Sequence, residues 1–94
     1  MEITVQFEAQ LRHVAGVGHA SVSVPDDCSV TDALKAISAK FGPSLGERLL
    51  TPDGTTQRSV LLFVNEQPIP HDLASERTLK TGDVLLLYPP ISGG

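Results

Sequence analysis

The sequence predicts an α+β fold in which one helix lies across one face of a small mixed β-sheet. Three observations carry that prediction. Apolar and polar residues alternate over residues 2–8, with Ile3, Val5 and Phe7 on one side, which is the period of a half-buried strand. Val30, Ala33, Leu34, Ile37 and Phe41 recur at helical spacing. Val84-Leu85-Leu86-Leu87-Tyr88 is a continuous apolar run preceded by turn residues, as expected of a strand in the middle of a sheet. At 94 residues there is room for one domain, 1–94.

In chain order, the first strand covers residues 2–8. A looser stretch over 9–19 holds Gly16 and Gly18, after which Ala20, Val22 and Val24 alternate with Ser21 and Ser23 up to Pro25. The two strands predict a hairpin with a long loop. Pro25-Asp26-Asp27 is a turn, and Ser29 stands three residues before Asp32 as an N-cap. The helix is predicted over Val30–Phe41, with Lys40 in its last turn, Gly42 just past it and Pro43 beyond. Ser44 and Glu47 repeat the capping-box spacing, which predicts a short second helical turn.

Pro52-Asp53-Gly54 is a turn signal, and the polar residues up to Arg58 read as a mobile excursion. The apolar run 60–64 is expected to be a strand covered on both faces or nearly so. Residues 67–70 fit a short edge strand, where two prolines are tolerated. Residues 71–79 connect irregularly, with Leu73 and Leu79 as anchors. Thr81-Gly82-Asp83 turns the chain into the last strand, where truncating Leu86 is expected to open a core cavity. If the first and last strands are both central, they pair side by side and run parallel, which is the β-grasp architecture.

The final residues, Pro89-Pro90-Ile91-Ser92-Gly93-Gly94, make a poor core segment and a good extended tail. Six extended residues reach roughly 20 Å, at about 3.3 Å each. Pro89 and Pro90 pre-set an extended base, so less entropy is lost when the segment docks. Ile91 can anchor at the mouth of a cleft, and Gly93 and Gly94, lacking Cβ, pass through a narrow channel. A carboxylate on Gly94 is ionised at neutral pH and can attack an activated phosphate. It becomes an acyl donor only as a mixed anhydride, for instance with AMP. The chain has no Gly-rich phosphate loop of its own, and Gly16-Val17-Gly18 lacks the third glycine and the βαβ context of a dinucleotide site. The activating machinery is therefore expected in a partner.

These residues resemble the sulfur-carrier family related to ubiquitin, whose best-known members are the small subunit of molybdopterin synthase and the thiamine-pathway sulfur carrier. The matching stretches are Phe7 with Leu11-Arg12 and Gly16, then Val64-Asn65, and above all Leu79-Lys80-Thr81-Gly82-Asp83-Val84 running through to Gly93-Gly94. The Pro-Pro tail resembles the molybdopterin branch more than the thiamine branch. The resemblance implies that Gly94 is adenylated by an ATP-dependent, ubiquitin-activating-like enzyme, which uses ATP and Mg while this chain binds no cofactor. It also implies that Gly94 then becomes a thiocarboxylate that donates sulfur to a biosynthetic intermediate. Pro90, Ile91, Ser92 and Gly93 would occupy the partner's channel. The expected partners are that adenylating enzyme and the large catalytic subunit of molybdopterin synthase, or another sulfur-accepting enzyme. Glu66 departs from the pattern, standing where glycine often follows the asparagine, and the 51–58 excursion is similar to carriers of other pathways, including cysteine synthesis.

The remaining polar residues read as structural. Cys28, the single cysteine, precludes an internal disulfide and fits a reducing, cytoplasmic setting. His13, His19 and His71 show no ligand spacing. Asp26 and Asp27 suit a turn and helix start, and Asp83 suits the turn into the last strand. Arg12 either meets a partner or covers the sheet edge. The formal charge of −4, with its seven basic residues scattered, argues against a nucleic-acid binder, and no run is long enough to span a bilayer. Two classes of function follow: a sulfur carrier without catalytic residues of its own, or a ubiquitin-like binding module or protein modifier.

Overall fold

Once residues 84–88 occupy the middle of a sheet, strands must cover both of their edges, and the rest of the fold follows from that requirement. A computed structural model describes residues 1–89. Its strands are β1 (Glu2–Phe7), β2 (His19–Ser23), β3 (Leu61–Val64), β4 (Gln67–Ile69) and β5 (Val84–Tyr88). Its helices are α1 (Gln10–Ala15), α2 (Val30–Phe41) and α3 (Pro43–Leu49), with a single 3-10 turn at His71–Leu73.

The sheet order is β2-β1-β5-β3-β4. β1 and β5 run parallel, Val5 beside Leu85 and Phe7 beside Leu87. The other pairs are antiparallel, with Ile3 opposite Val22, Leu87 opposite Leu62, and Leu62 opposite Ile69. This is the β-grasp architecture expected from the element order. Because side chains alternate across a strand, these registers send Ile3, Val5, Phe7, Val22, Leu62, Val64, Leu85 and Leu87 to one face, where all are buried. α2 closes that face with Val30, Ala33, Leu34 and Ile37, and α3 adds Leu45 and Leu49. Each such side chain contributes roughly 1.5–3 kcal/mol by leaving water. Phe41 packs edge-on against Phe7, their ring centroids 5.2 Å apart.

α2 has the predicted bounds. The Ser29 side chain accepts a hydrogen bond from the Asp32 amide at 3.0 Å, and the Gly42 amide donates to the Ser38 carbonyl at 2.9 Å.

Elsewhere the structure corrects the expectations. Part of the long loop in the first hairpin is α1, which Gly16 ends in the left-handed region at φ 83°. α1 exists because Leu11, Val14 and Ala15 share one helical face, with Leu11 buried and the other two partly so. In α3, Pro43 rather than Ser44 begins the helix, and no side chain caps it. Proline suits that position, since its missing N–H would have had no intrahelical partner.

The segment 51–58 is not loose. The Thr51 amide donates to the Thr55 carbonyl at 2.8 Å, the Gln57 amide to the Leu49 carbonyl at 2.9 Å, and Thr56 is buried. Leu73 is exposed, and Ala74 takes the anchoring place beside Leu79. The run 60–64 is covered on one face only: Leu62 and Val64 are buried, whereas Leu61 is exposed and Phe63 half-buried. Leu86 also lies on the open face, so it is not a core residue. The helices cover only one side of the sheet, and a continuous apolar run cannot reveal which parity they leave open.

Candidate functional site

The residues singled out from the sequence as the reactive segment, Pro90, Ile91, Ser92, Gly93 and Gly94, lie outside the described residues. What the structure supplies is the strand that leads to them and the surface around its exit.

The start of β5 is held by side chains as well as by the sheet. Gly82 adopts φ 86°, which a residue with a Cβ reaches only with strain, and its amide donates to the Glu2 carbonyl at 3.1 Å. The Asp83 carboxylate accepts from the Lys80 amide at 2.8 Å and from Asn65 Nδ2 at 2.9 Å. Asn65 Oδ1 in turn accepts from the Val84 amide at 2.9 Å, while the Asn65 amide donates to the Val84 carbonyl at 2.9 Å. The expected turn role of Asp83 is therefore seen, and Asn65 is its partner across the β3–β4 hairpin.

At its far end β5 passes into Pro89. The tail was expected to begin at this residue, yet Pro89 is buried against the body of the domain. It borders a cavity of about 260 Å³ that Gln10, Leu11, Arg48, Ser59 and Val60 also line. Ala9, which leads into α1 at this end, has φ 50° and ψ −127°, an unfavourable conformation for a residue with a Cβ.

The open face of the sheet is divided in two. Toward β1 and β2 it carries Thr4, Gln6 and Ser21. Toward β3 and β5 it carries Leu61, Phe63, Leu86 and Tyr88, with Leu61 beside Tyr88 and Phe63 beside Leu86. Phe63 and Tyr88 meet edge-on with centroids 5.8 Å apart, so the patch is ordered by its own packing. Leu61 and Tyr88 remain 41% and 38% exposed. These four side chains form an apolar patch on the open face next to the end of β5. The sequence reading missed these four residues; their outward parity was the available signal, hidden by the equally apolar neighbours of inward parity.

The other predicted residues fall into place as structure. Cys28 is buried, and burial first, then the nearby Asp32 carboxylate, push its thiol above the ordinary range, the reverse of what a nucleophile needs. Arg12 Nε donates to the Phe7 carbonyl at 3.4 Å, its guanidinium lies across Gly18, and Nη2 stands 3.9 Å from Glu8. Of its two readings, the structure shows the arm covering the sheet edge. Asp26 meets the amino terminus at 3.1 Å. His13 and His19 are exposed, while His71 Nε2 bonds to the Val60 carbonyl. Among the described residues no group of three or more His, Cys, Asp or Glu is placed to hold a metal ion, and no helix is long and apolar enough to cross a membrane.

Known proteins are similar to this chain over its full length. The sequence model of the ThiS family matches residues 5–94. Small archaeal modifier protein 3 of Haloferax volcanii is 30% identical over 94 residues, covering 100% of both chains. The molybdopterin synthase sulfur carrier subunit of Drosophila yakuba is 35% identical over 95 residues, covering 100% of this chain and 92% of that protein. The crystal structure of SAMP1 from Haloferax volcanii superposes with a TM-score of 0.87 at 31% identity over 100% of both chains. With a β-grasp sheet, a side-chain clamp at the head of its central strand and a family match reaching from β1 to residue 94, the chain belongs to the ThiS family of ubiquitin-like sulfur carriers and modifiers.

Proposed function

We propose that the chain is a sulfur carrier acting at Gly94, most specifically as the small subunit of a molybdopterin synthase. A carboxylate oxygen of Gly94 attacks the α-phosphorus of ATP and displaces pyrophosphate, giving an acyl adenylate. A hydrosulfide equivalent then displaces AMP and leaves a thiocarboxylate, whose sulfur passes to the intermediate of a cofactor pathway. The adenylating enzyme holds ATP and Mg, and the large synthase subunit or another sulfur-accepting enzyme receives the charged tail. This chain's part is to present Gly93 and Gly94 to their active sites, with Pro90, Ile91 and Ser92 in the channel.

The observation that carries this reading is the position of β5: the middle strand of the sheet, clamped at its head by Asn65 and Asp83, reaches Pro89 five residues before Gly94. A central strand fixes the point from which the chain continues toward Gly94, so a partner that recognises the domain also meets the start of that segment. The apolar patch of Leu61, Phe63, Leu86 and Tyr88 is the surface on which those partners dock. The relatives that are synthase sulfur carrier subunits support the finer assignment.

A second reading, a protein modifier joined through Gly94 to lysines, is favoured by the full-length likeness to small archaeal modifier protein 3. Intact mass after incubation with ATP, an activating enzyme and a sulfur source separates the two. Oxygen-to-sulfur exchange at the C-terminus supports the carrier; conjugates on lysine without that exchange replace it with the modifier.

A further inference from the structure

The sheet ends in β2 on one side and β4 on the other, and backbone parity gives the two edges opposite characters. The Asn65 amide donates to the Val84 carbonyl, so Leu61 and Phe63, of the same parity, turn their backbone groups toward β5. Leu62 and Val64 turn theirs toward β4, where they face Ile69 and Gln67. Pro68 and Pro70 therefore point outward, and neither has an N–H to give. That edge cannot donate to a further strand at either position.

β2 is the opposite case. The Phe7 amide donates to the Gly18 carbonyl and the Thr4 amide to the Asp83 carbonyl, so the odd residues of β1 bond toward β2 and the even ones toward β5. With Val5 opposite Ala20 and Ile3 opposite Val22, Ala20 and Val22 direct their backbone groups to β1, and those of His19, Ser21 and Ser23 point away from the sheet. All three residues are exposed. Among the described residues these outward groups have one protein partner: Lys40 of α2 donates from Nζ to the Ser21 carbonyl at 3.0 Å. The same Nζ lies 5.9 Å from the centroid of the Phe41 ring, which holds the charge at this edge.

We propose that the β2 edge binds an extended peptide segment of a partner protein as an added strand, with an acidic side chain of that segment meeting Lys40. Outward N–H and C=O pairs at every second residue are the pattern that an extended backbone completes. Side chains of an added strand alternate as those of β2 do. Those opposite His19, Ser21 and Ser23 lie on the open face, where the Ser21 hydroxyl donates to the Glu2 carboxylate and a second carboxylate is repelled. Those opposite Ala20 and Val22 lie on the helix side, beside Lys40 and, one turn earlier on the same face of α2, the small residue Ala36. An acidic residue belongs there, next to β-branched apolar ones. A second copy fits less well, because two β2 strands paired about a twofold axis at Ser21 bring two Lys40 ammonium groups together. Lys40 thus guards the edge against neutral strands, a usual task of lysine at such places, and favours acidic ones. The site is separate from Gly94 and stands whether or not the sulfur-carrier reading holds.

The test uses the heptapeptide Ac-Thr-Val-Thr-Asp-Thr-Val-Thr-NH2, which reads alike in both directions and carries its single charge on the same side as its valines. Titrated into the ¹⁵N-labelled full chain, it is expected to shift the amides of residues 19–23 saturably. It should also slow hydrogen exchange at His19, Ser21 and Ser23 while leaving Ala20 and Val22, already bonded to β1, as they were. Replacing its Asp by Asn weakens binding about twofold to fivefold, the range of a solvent-exposed ion pair, and in Lys40→Ala that difference disappears. N-methylation of the peptide's three central residues abolishes binding without changing its charge. Ser21→Pro does the same from the protein side and keeps the rest of the spectrum, because this amide points outward. No saturable shift, binding that survives N-methylation, equal binding of the Asp and Asn peptides to the unaltered chain, or shifts confined to Leu61, Phe63, Leu86 and Tyr88 would overturn the proposal. So would protection of the Ser21 amide that grows with protein concentration in the absence of peptide, which assigns the edge to a second copy.

Discussion

Asn65 Nδ2 donates to Asp83 Oδ1 at 2.9 Å, joining the β3–β4 hairpin to the turn that launches β5, eighteen residues further along the chain. Each side chain also serves backbone: Asn65 Oδ1 accepts from the Val84 amide, and Asp83 Oδ2 from the Lys80 amide. Asp83→Ala removes the acceptor of Asn65 Nδ2 and of the Lys80 amide and should cost about 1–2 kcal/mol, since two hydrogen bonds are lost near solvent. Urea denaturation measures the loss, and faster hydrogen exchange at the Lys80 amide localises it. Unchanged exchange there would show that the clamp does not hold the turn.

Asn65 and Glu66 lie at φ 49° and 73° in the two-residue loop between Val64 and Gln67, the geometry of a type I′ hairpin that favours Asn-Gly. Glutamate in that second place is strained. Glu66→Gly should therefore stabilise the fold by about 1 kcal/mol, read as a higher midpoint in urea.

Leu85 and Leu86 are neighbours in sequence and opposites in structure, Leu85 fully buried and Leu86 on the open face. Leu85→Ala should cost about 2–5 kcal/mol as a core cavity. Leu86→Ala should cost about 1 kcal/mol, as for a partly covered surface position. Equal losses in thermal denaturation would contradict the register.

Cys28 sets an alkaline limit on stability. Its thiol is raised above the ordinary range by burial and by Asp32, so the folded protein holds this proton more tightly than the unfolded chain. The resulting stabilisation is fully present below the unfolded thiol's pKa, about 8.5, and is lost as pH rises through the higher folded value. Cys28→Ala should flatten this alkaline decline, measured by denaturation at about pH 7 and about pH 9.5. A decline of the same steepness in the variant assigns it to other groups.

The docking patch and the tail are separable. Leu61→Asp, at an exposed position, should change stability by less than about 1 kcal/mol while weakening association with the activating enzyme about tenfold, the effect of losing one useful interface contact. Adding one residue after Gly94 should leave that association intact and abolish charging, because the carboxylate no longer reaches the reagent. Pull-down and intact mass read the two steps independently.

Much of this was open to inspection in the sequence. The α2 bounds and the edge place of β4 follow from periodicity, caps and prolines, all local and all carried by a few neighbouring residues, whereas the parallel pairing of β1 with β5 is conditional on both strands being central, which the fold supplies. That residues 89–94 suit an activatable tail is likewise read from residue types, glycines without Cβ, prolines that stiffen and a carboxylate, while the sulfur chemistry expected at Gly94 comes from the family resemblance. Tertiary packing decided the rest. α1 forms because Leu11 finds a core to enter, and the 51–58 segment is ordered by distant partners such as the Leu49 carbonyl. Which parity of β3 and β5 faces water was settled by the helices covering one side of the sheet, since Leu61 and Leu62, or Leu85 and Leu86, are chemically alike until something packs against one of them.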